Sequence, residues 1–436
     1  MRAVCLLLLA AIGGCTPIAS GFRCDGSVAC VREGVQGTCE ANHWCSFPNA
    51  MCASGSSYGQ FAGDGLADAC VTAADSCGAI GEACCAGTNA CQSGMQCLGG
   101  ACVGCVAALA LGDGHGCALL RDGGGVVCWG QNAHGQLGNG GSGDAAAAVA
   151  VVDDHGMPLS GVTAIVAGAN HTCALRGDRT VVCWGDDSAG QLGRGAALPG
   201  PSVNAVPAPV GLTSIVAIAA GAQHTCAALD NGAVWCWGAN DAGQLGGTMP
   251  AAGSSMPVEV VDKAGLALSV AGLGAGATHS CAVGKDATLA CWGSDVSGEL
   301  GDGMTAVTSQ VSKATSLGAH VAAVAGGLHF GCALTDAGAV SCFGANDQAQ
   351  AGQPASPTVA VPTMVAIDRA TAVAAGGSEA CARRAGGDLV CWGGGAAPAT
   401  VRSTVGPIAV GANDVCSARA NGVTCNVFGD PHLACP

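Results

Sequence analysis

The feature that most constrains this chain is a repeat that recurs seven times. One copy, over residues 170–193, reads Asn-His-Thr-Cys-Ala-Leu-Arg-Gly-Asp-Arg-Thr-Val-Val-Cys-Trp-Gly-Asp-Asp-Ser-Ala-Gly-Gln-Leu-Gly. The first cysteines of successive copies lie 35 to 56 residues apart. Each copy consists of short apolar runs divided by Gly, Asn and Asp, without a long stretch of helical periodicity. A period near 50 residues is typical of solenoids and propellers, so an all-β fold is predicted.

Each copy carries two cysteines on either side of a turn. In the third copy, Cys226 and Cys236 stand symmetrically about Asn231. Opposed residues of an antiparallel hairpin have Cα atoms roughly 4.5–5.5 Å apart, which a disulfide can bridge. We therefore predict one cross-strand disulfide in each copy. The predicted pairs are Cys117 with Cys128, Cys173 with Cys183, Cys226 with Cys236, Cys281 with Cys291, Cys332 with Cys342, Cys381 with Cys391, and Cys416 with Cys425.

Each copy supplies four predicted strands. These are an inner apolar strand ending in Ala-Gly (215–221 in the third copy), two hairpin strands, and an outer segment such as 206–210. Seven such units fit a seven-bladed β-propeller over residues 106–436, in which each blade covers the apolar face of its neighbour. The last copy is short, and an unpaired edge would be exposed. Closure by pairing of the terminal strands is therefore expected.

The motifs Gly-x-x-His, Cys-Ala-Leu, Val-x-Cys-Trp-Gly and Gly-Gln-Leu-Gly resemble the regulator of chromosome condensation repeat over about 330 residues. The resemblance implies a seven-bladed propeller. The fourth copy has Glu299 in place of glutamine, and Glu379 and Asp414 replace the histidine in the last two copies. The sixth copy loses the Gly-Gln-Leu-Gly element after Gly393. The founding activity of the family is nucleotide exchange on a small nuclear GTPase, which export and an acidic composition argue against here.

Two aromatic series recur with the repeat and are predicted to be structural. The histidines are interpreted as satisfying backbone groups at strand starts, because equivalent residues of a ring of blades cannot converge on one metal ion. The tryptophans are interpreted as packing between blades, although an exposed aromatic ring would bind sugars or peptides. The two series are His115, His171, His224, His279 and His329, and Trp129, Trp184, Trp237, Trp292 and Trp392, with Phe343 replacing one tryptophan.

Acidic residues raise two further alternatives. The pairs at 186–187, 240–241, 294–295 and 346–347 would ligate calcium, but they also suit tight turns, which is the preferred interpretation. Glu259, Asp262 and Glu299 would form a catalytic carboxylate pair only if they met across a propeller channel. No serine-hydrolase elbow, phosphate loop or zinc-protease motif is present in the sequence. A non-enzyme without cofactor or metal is therefore expected.

The N-terminal part indicates export. Thirty cysteines imply an oxidising compartment. Arg2 precedes an apolar stretch at 4–12, which is typical of a signal peptide. Ile12-Gly13-Gly14-Cys15 resembles a bacterial lipobox, which implies cleavage after residue 14 and a lipid on Cys15. Plain secretion, with Cys15 in a disulfide, is the alternative.

Residues 15–105 are predicted to be a separate disulfide-stapled region, since their cysteines leave too little apolar sequence for a core. The spacing from Cys70 to Cys97 resembles that of small knottins. Zinc on Cys102 and Cys105 is an alternative without a second ligand pair. Cys435 would complete an even number of cysteines by pairing with this region.

Composition limits the partners. The formal net charge of −15, without a run of basic residues, argues against nucleic acid. We therefore predict a monomeric, exported, membrane-anchored binding scaffold whose loops recognise a protein or a glycan, with the insertions at 138–161 and 247–268 as contact loops. Inhibition of a secreted enzyme and hydrolysis of a polysaccharide are the alternatives.

Overall fold

The computed structural model describes residues 105–195, 212–247, 253–262, 264–313, 317, 320–403, 406–419 and 422–426, together with short strands between residues 16 and 104. The chain divides into two compact units, Met1–Gly104 with Cys435–Pro436 and Cys105–Ala434. Among the residues described, no helix is long and apolar enough to cross a membrane. Cys15 and its lipobox, the knottin-like spacing and the pairing of Cys435 lie outside the described residues.

The first unit contains short strands in three small antiparallel sheets, with orders β1-β2, β3-β4-β5-β6 and β7-β8. The strands are β1 (Thr16–Ile18), β2 (Gly21–Arg23), β3 (Cys30–Arg32), β4 (Val35–Cys39), β5 (Cys45–Pro48), β6 (Ser56–Tyr58), β7 (Met95–Leu98) and β8 (Ala101–Gly104).

The second unit is a seven-bladed β-propeller, which confirms the predicted fold class. The blades follow one another in chain order, and each is an antiparallel sheet. The first strand of a blade lines the central channel, and the last strand lies outermost. Blade 1 contains β9 (Val106–Leu111), β10 (His115–Leu120), β11 (Val126–Gly130) and β12 (Ala145–Ala150). Blade 2 contains β13 (Val162–Ala167), β14 (His171–Arg176) and β15 (Val181–Gly185). Blade 3 contains β16 (Ile215–Ala220), β17 (His224–Leu229), β18 (Val234–Gly238) and β19 (Ser254–Glu259).

The remaining four blades continue the same order. Blade 4 contains β20 (Val270–Ala275), β21 (His279–Gly284), β22 (Leu289–Asp295) and β23 (Ala306–Lys313). Blade 5 contains β24 (Val321–Gly326), β25 (Phe330–Thr335), β26 (Val340–Ala345) and β27 (Thr358–Met364). Blade 6 contains β28 (Ala370–Gly376), β29 (Glu379–Arg384), β30 (Asp388–Gly393) and β31 (Ala396–Ser403). Blade 7 contains β32 (Ile408–Val410), β33 (Val415–Arg419) and β34 (Gly422–Cys425).

A disulfide joins the second and third strands of every blade. In blade 3, Cys226 lies directly opposite Cys236, with a Cα–Cα distance of 4.1 Å. The other six predicted pairs are bonded in the same way, with Cα–Cα distances of 4.0 to 4.1 Å. The alternation of a strand places both cysteines on the same side of the sheet, where they are buried between neighbouring blades.

The outer strand follows the hairpin of its own repeat. In blade 3 it is Ser254–Glu259, whose Val258 lies opposite Cys236. The segment at 206–210, predicted as an outer strand, lies outside the described residues. The insertions 138–161 and 247–268 are not simple loops, because each includes an outer strand and then a short hairpin. In those hairpins Val152 bridges Pro158, and Val261 bridges Ala267.

The ring closes by packing of one blade on another. The inner strand β9 of blade 1 contacts β32 and β33 of blade 7. Within the described residues, every blade takes its strands from one continuous segment. The predicted pairing of terminal strands is therefore not found there. Gly411 permits the close approach, since a Cβ at this position would lie 2.7 Å from the carbonyl oxygen of Gly112.

Candidate functional site

Four of the repeat histidines are fully buried, and three of them hydrogen-bond to the next blade. His115, His171 and His224 are fully buried, and each places Nε2 against a hydroxyl of the next blade. The distances are 2.8 Å from His115 to Thr172, 3.0 Å from His171 to Thr225 and 2.8 Å from His224 to Ser280. The predicted structural role agrees with this burial, but the partner is a side-chain hydroxyl of the neighbouring blade and not a backbone group.

The Gly-x-x-His spacing has a steric origin. A Cβ at Gly168 would overlap the ring of His171, and the same holds for Gly112 beneath His115. The imidazole ring lies over the glycine three residues before it, and the same glycine also approaches the equivalent loop of the following blade. Any larger residue at this glycine would push the imidazole out of the interface between blades.

The tryptophan of each following blade completes this connection. Trp237 is fully buried and donates from Nε1 to the carbonyl oxygen of Gln191 at 2.8 Å. Thr225 donates its hydroxyl proton to the same carbonyl oxygen at 2.9 Å. We call this arrangement of histidine, hydroxyl, tryptophan and glutamine carbonyl the interblade lock. It is complete between blades 1 and 2, 2 and 3, and 3 and 4.

The lock determines the protonation of its histidines. Because the hydroxyl of Thr225 donates to Gln191, it accepts from Nε2–H of His171, which leaves Nδ1 without a proton. Burial lowers the pKa of His115 and His224 to about 3 and that of His171 and His279 to about 4. These rings are neutral at physiological pH, and the hydroxyl contacts orient those of His115, His171 and His224.

The fifth predicted histidine does not belong to this series. Phe330, fully buried, occupies the position two residues before Cys332, and its ring lies over Gly327 as the other rings lie over their glycines. His329 is one residue away, and 48% of its side chain is exposed. Because strand residues alternate in direction, a shift of one position turns the side chain away from the interface between blades.

In blades 1 to 5, the turn after the repeat tryptophan or phenylalanine is built by one asparagine or aspartate, as the turn interpretation predicts. Its side-chain oxygen accepts the backbone N–H of the residue five positions later, from Asn240 to Leu245 at 2.9 Å and from Asp295 to Leu300 at 3.1 Å. Two of the predicted pairs place this residue second, as Asp187 and Asp295. In the other two pairs it is the first residue, Asn240 or Asn346, and the oxygen of Asn346 accepts from Ala351.

The two faces of the propeller differ in charge. We define the acidic face as the side formed by the loops between first and second strands and between third and fourth strands of each blade. Its carboxylates are Asp113, Asp144, Asp186, Asp187, Asp241, Asp295, Glu299, Asp302, Asp347, Glu379 and Asp414. Among the Lys and Arg side chains that the structure describes, Arg194 alone lies on this side.

We define the mixed face as the opposite side, which carries the hairpin turns and the connections between blades. Its described cations are Arg121, Arg176, Arg179, Lys285, Arg369, Arg383 and Arg384, interspersed with aspartates. Some of these charges pair, as Arg179 does with Asp230 of the next blade at 3.1 Å. Attraction for a charged partner is therefore concentrated on the acidic face.

The central channel has a volume of about 890 Å³ and is lined mainly by Ala, Gly and Leu of the inner strands. Asp113 and Glu379 are the ionisable side chains in its described lining, and burial raises the pKa of Asp113. The three acids considered as a catalytic pair do not meet there. Glu259 ends an outer strand, Asp262 lies in a hairpin turn, and Glu299 is fully buried in the turn of blade 4.

In the part of the chain that the structure describes, the possible metal ligands are already engaged. Asp414, Cys416 and Cys425 lie close together, but the two cysteines form a disulfide. Asp414 accepts the backbone N–H groups of Val415 and Asn426 at 2.8 and 2.7 Å. Cys105 is also disulfide-bonded, which leaves it no thiolate for the zinc alternative.

Comparison with known proteins identifies the family of this chain. The family model of the RCC1-like domain matches residues 68–416. The chain belongs to the RCC1-like domain family. Among curated relatives, the ultraviolet-B receptor UVR8 of Arabidopsis thaliana is 30% identical over 258 residues, which cover 57% of this chain and 55% of the receptor. The mitochondrial RCC1 domain-containing protein RUG3 of Arabidopsis thaliana is 30% identical over 243 residues, which cover 53% of this chain and 54% of RUG3.

Two solved structures share the fold. Human WBSCR16 superposes with a TM-score of 0.59 at 21% identity, covering 70% of this chain and 84% of WBSCR16. Yeast RCC1, solved with Kap60 bound to it, has a TM-score of 0.57 at 21% identity, covering 70% of this chain and 78% of the yeast chain. The RCC1-like chain described here spans about half the length of the two curated Arabidopsis relatives.

Proposed function

We propose that this RCC1-like chain is a recognition scaffold that binds a protein through the acidic face of its propeller. The observation that carries the proposal is the segregation of charge between the two faces. A rigid surface of one sign attracts a partner of the opposite sign and orients it during encounter. The disulfide in each blade supports this role, because a preorganised surface loses little conformational entropy on binding.

A protein partner is favoured over a glycan. Yeast RCC1, which shares the fold, binds Kap60, and this precedent supports a protein ligand. The tryptophans that would stack on sugar rings are buried between blades, which removes the main reason to prefer a glycan. We propose that the chain acts by binding and not by catalysis, and that it does so as a monomer.

We further propose that the scaffold is exported and held at a membrane by a lipid on Cys15. The seven disulfides of the propeller support an oxidising compartment. The lipobox-like residues 12–15 support the anchor. Growth of the producing cell with an alkyne-bearing fatty acid should label the wild type and leave Cys15→Ser unlabelled. Equal labelling of both chains would remove the anchor from the proposal.

Binding by the acidic face is tested by affinity capture from the envelope and medium of the producing cell. The test variant carries Asp113→Asn, Asp241→Asn and Asp347→Asn on the acidic face. The matched control carries Asp122→Asn, Asp154→Asn and Asp178→Asn on the mixed face, so that net charge changes equally. We expect the first variant to lose the captured protein and the control to retain it.

Other results of the same capture would overturn the proposal. Loss of the partner only in the mixed-face control would assign binding to the wrong face. Recovery of a glycan instead of a protein would contradict the partner class. Capture that is insensitive to both variants and to added salt would exclude charge as its basis, since exposed charges are screened within about 8 Å at physiological ionic strength.

A further inference from the structure

The junction between blades 4 and 5 keeps the histidine of the interblade lock, His279, but the other three residues of the lock are replaced there. Glu299 stands in place of the glutamine, Gly331 in place of the hydroxyl residue and Phe343 in place of the tryptophan. His279 is fully buried, yet neither of its ring nitrogens has a hydrogen-bond partner within the described residues. Conflicts of this kind between a local pattern and its surroundings are often found at functional sites.

A different set of polar contacts occupies this junction. The Glu299 carboxylate accepts the backbone N–H of Ser297 at 2.6 Å and the hydroxyl of Ser294 at 3.2 Å. Its Oε1 also lies 3.5 Å from Nδ1 of His329. Burial opposes the ionisation of Glu299, but the contacts with His329 and the backbone outweigh it and hold the Glu299 pKa below its usual value. The site therefore contains a buried carboxylate covered by a half-exposed imidazole.

Two neighbouring carboxylates strengthen the negative charge of the site. Asp295 is 1% exposed, and its Oδ2 has no hydrogen-bond partner among the described residues; the same is true of Oδ2 of Asp302. The charges of Asp302 and Glu299 act on Asp295, and that of Asp347 acts on His329. No described lysine or arginine compensates these groups, and buried acceptors without donors are rare in native proteins.

Large apolar side chains are exposed close by in the sequence and on the same face. Val296 is 60% exposed within the turn that carries Glu299. Met304 is 56% exposed next to Asp302, and Leu328 is 46% exposed next to His329. A charged group surrounded by apolar side chains that exclude water is the usual composition of an interface hot spot.

We propose that this blade 4–5 site receives a lysine or arginine side chain of a partner protein, with Glu299 as its acceptor and Val296, Met304 and Leu328 as the surrounding contacts. The inference rests on the proposed scaffold function and specifies its partner as a basic segment with adjacent apolar residues. The entering cation displaces the His329 ring from Glu299. It replaces a contact of 3.5 Å with shorter charge-assisted hydrogen bonds.

The test uses the full chain labelled with ¹³C at its methionine methyl groups, observed by NMR. The probe is a blocked five-residue peptide that alternates leucine and arginine, and the matched control peptide has glutamate in place of arginine. We expect the arginine peptide to shift the Met304 methyl signal saturably. The signals of Met157, Met256 and Met364 should stay in place, and the glutamate peptide should shift none of them.

Three variants decide whether Glu299 is the acceptor. Glu299→Gln introduces the residue that four other blades carry at this position, so it should fold, and we expect the Kd to rise at least fivefold. His329→Ala uncovers the carboxylate and should bind as well as the wild type or more tightly. Asp178→Asn removes a carboxylate from the mixed face of blade 2, and its Kd should stay within twofold of the wild type.

The proposal is overturned if Glu299→Gln binds unchanged, if the glutamate peptide binds equally, or if the shifts occur at Met157 instead of Met304. The result is separable from that of the scaffold proposal. If the peptide fails here but the acidic-face variant still loses its captured protein, the site is wrong and the scaffold stands. If the peptide binds here but capture recovers no protein, the site stands and the scaffold function is contradicted.

Discussion

The turn residue that accepts the backbone N–H is asparagine in some blades and aspartate in others. The two side chains differ in one atom, which is Nδ2 in asparagine and Oδ2 in aspartate. Asn132 and Asn346 use Oδ1 to accept a backbone N–H and use Nδ2 to donate to neighbouring oxygens. Asp187 and Asp295 accept the same N–H, but their Oδ2 atoms have no partner among the described residues. Burial therefore raises the pKa of Asp187 and raises that of Asp295 to about 6.

The first prediction concerns this aspartate. The folded pKa of Asp295 lies above its ordinary value of 3.8, so its stabilising contribution is complete below pH 3.8 and is lost as the pH rises through about 6. Asp295→Asn should increase stability at pH 7 by on the order of 1 kcal/mol and leave that at pH 4 nearly unchanged. Thermal melts between pH 4 and 7 measure this, and Asn132→Asp should show the reverse. Parallel melting curves for wild type and variant would contradict the explanation.

A second prediction at the residue scale tests the interblade lock. Thr225→Val keeps the size of the side chain but leaves His171 Nε2 and one acceptor site of Gln191 unsatisfied in a buried environment. We expect a loss of about 1–3 kcal/mol, the usual cost of an unpaired buried polar group. Chemical denaturation measures it, with Thr213→Val, at an exposed threonine, as control. A loss no larger than that of the control would mean that the hydroxyl is dispensable.

At the scale of elements, each hairpin is closed by its own disulfide. Because the cysteines lie opposite each other near the middle of the strands, the bond holds the hairpin in register independently of the other blades. This arrangement suits blades that expose glycine-rich turns and few large side chains. The staple reduces the freedom of the unfolded hairpin, in which ten residues separate the two cysteines of blade 3.

The third prediction is the effect of removing one staple. The double variant Cys226→Ala/Cys236→Ala should lose about 2–3 kcal/mol, as expected for a loop of this length. The melting temperature under oxidising conditions measures the change. The equivalent double variant in blade 6, Cys381→Ala/Cys391→Ala, provides a comparison at the same spacing. Unchanged melting of both variants would show that packing between blades, and not the staples, stabilises the hairpins.

At the scale of the whole molecule, the seven junctions between blades are unequal. Three have complete interblade locks, and the junction between blades 5 and 6 retains the hydrogen bond from Trp392 to Gln350 at 3.0 Å. The junction between blades 4 and 5 has none of these bonds. Trp129 of blade 1 has no acceptor for Nε1 among the described residues, since blade 7 carries no Gly-Gln-Leu-Gly element there. Blade 6 has no Gly-Gln-Leu-Gly element and blade 7 has no tryptophan, so the junction between them also lacks the lock. The ring is therefore expected to open first at one of these three junctions.

The fourth prediction follows from this difference. Hydrogen exchange followed by mass spectrometry should show faster exchange for Val321–Gly326, the inner strand of blade 5, than for the inner strands of blades 2, 3 and 4. The combination Glu299→Gln, Gly331→Ser and Phe343→Trp restores the lock and should slow that exchange. Phe343 must change together with Gly331, because a Cβ at Gly331 would lie 3.0 Å from the phenylalanine ring. Equal protection at all junctions would refute the unequal ring.

The repeat by itself determined the fold, the blade number and the disulfide partners. These features depend on contacts within about 20 residues, and the alternation of strands around a turn fixes which residues face each other. Cys226 and Cys236 could therefore be paired without a structure. The Asn and Asp residues of the turns were predictable for the same reason, because their hydrogen bonds are local.

Only the tertiary structure decided the contacts between blades. The hydroxyl that accepts from His171 lies 54 residues away, and no local pattern connects the two. Phe330, and not His329, occupies the position of the buried histidines in blade 5. The structure shows this because the ring of Phe330 lies over Gly327. The separation of charge between the faces was also hidden, because it depends on which loops the antiparallel blades bring to the same side. In the sequence, Glu299 is only a departure from the Gly-Gln-Leu-Gly motif. The structure shows that it is buried, that His329 covers it and that His279 at the same junction has no hydrogen-bond partner among the described residues.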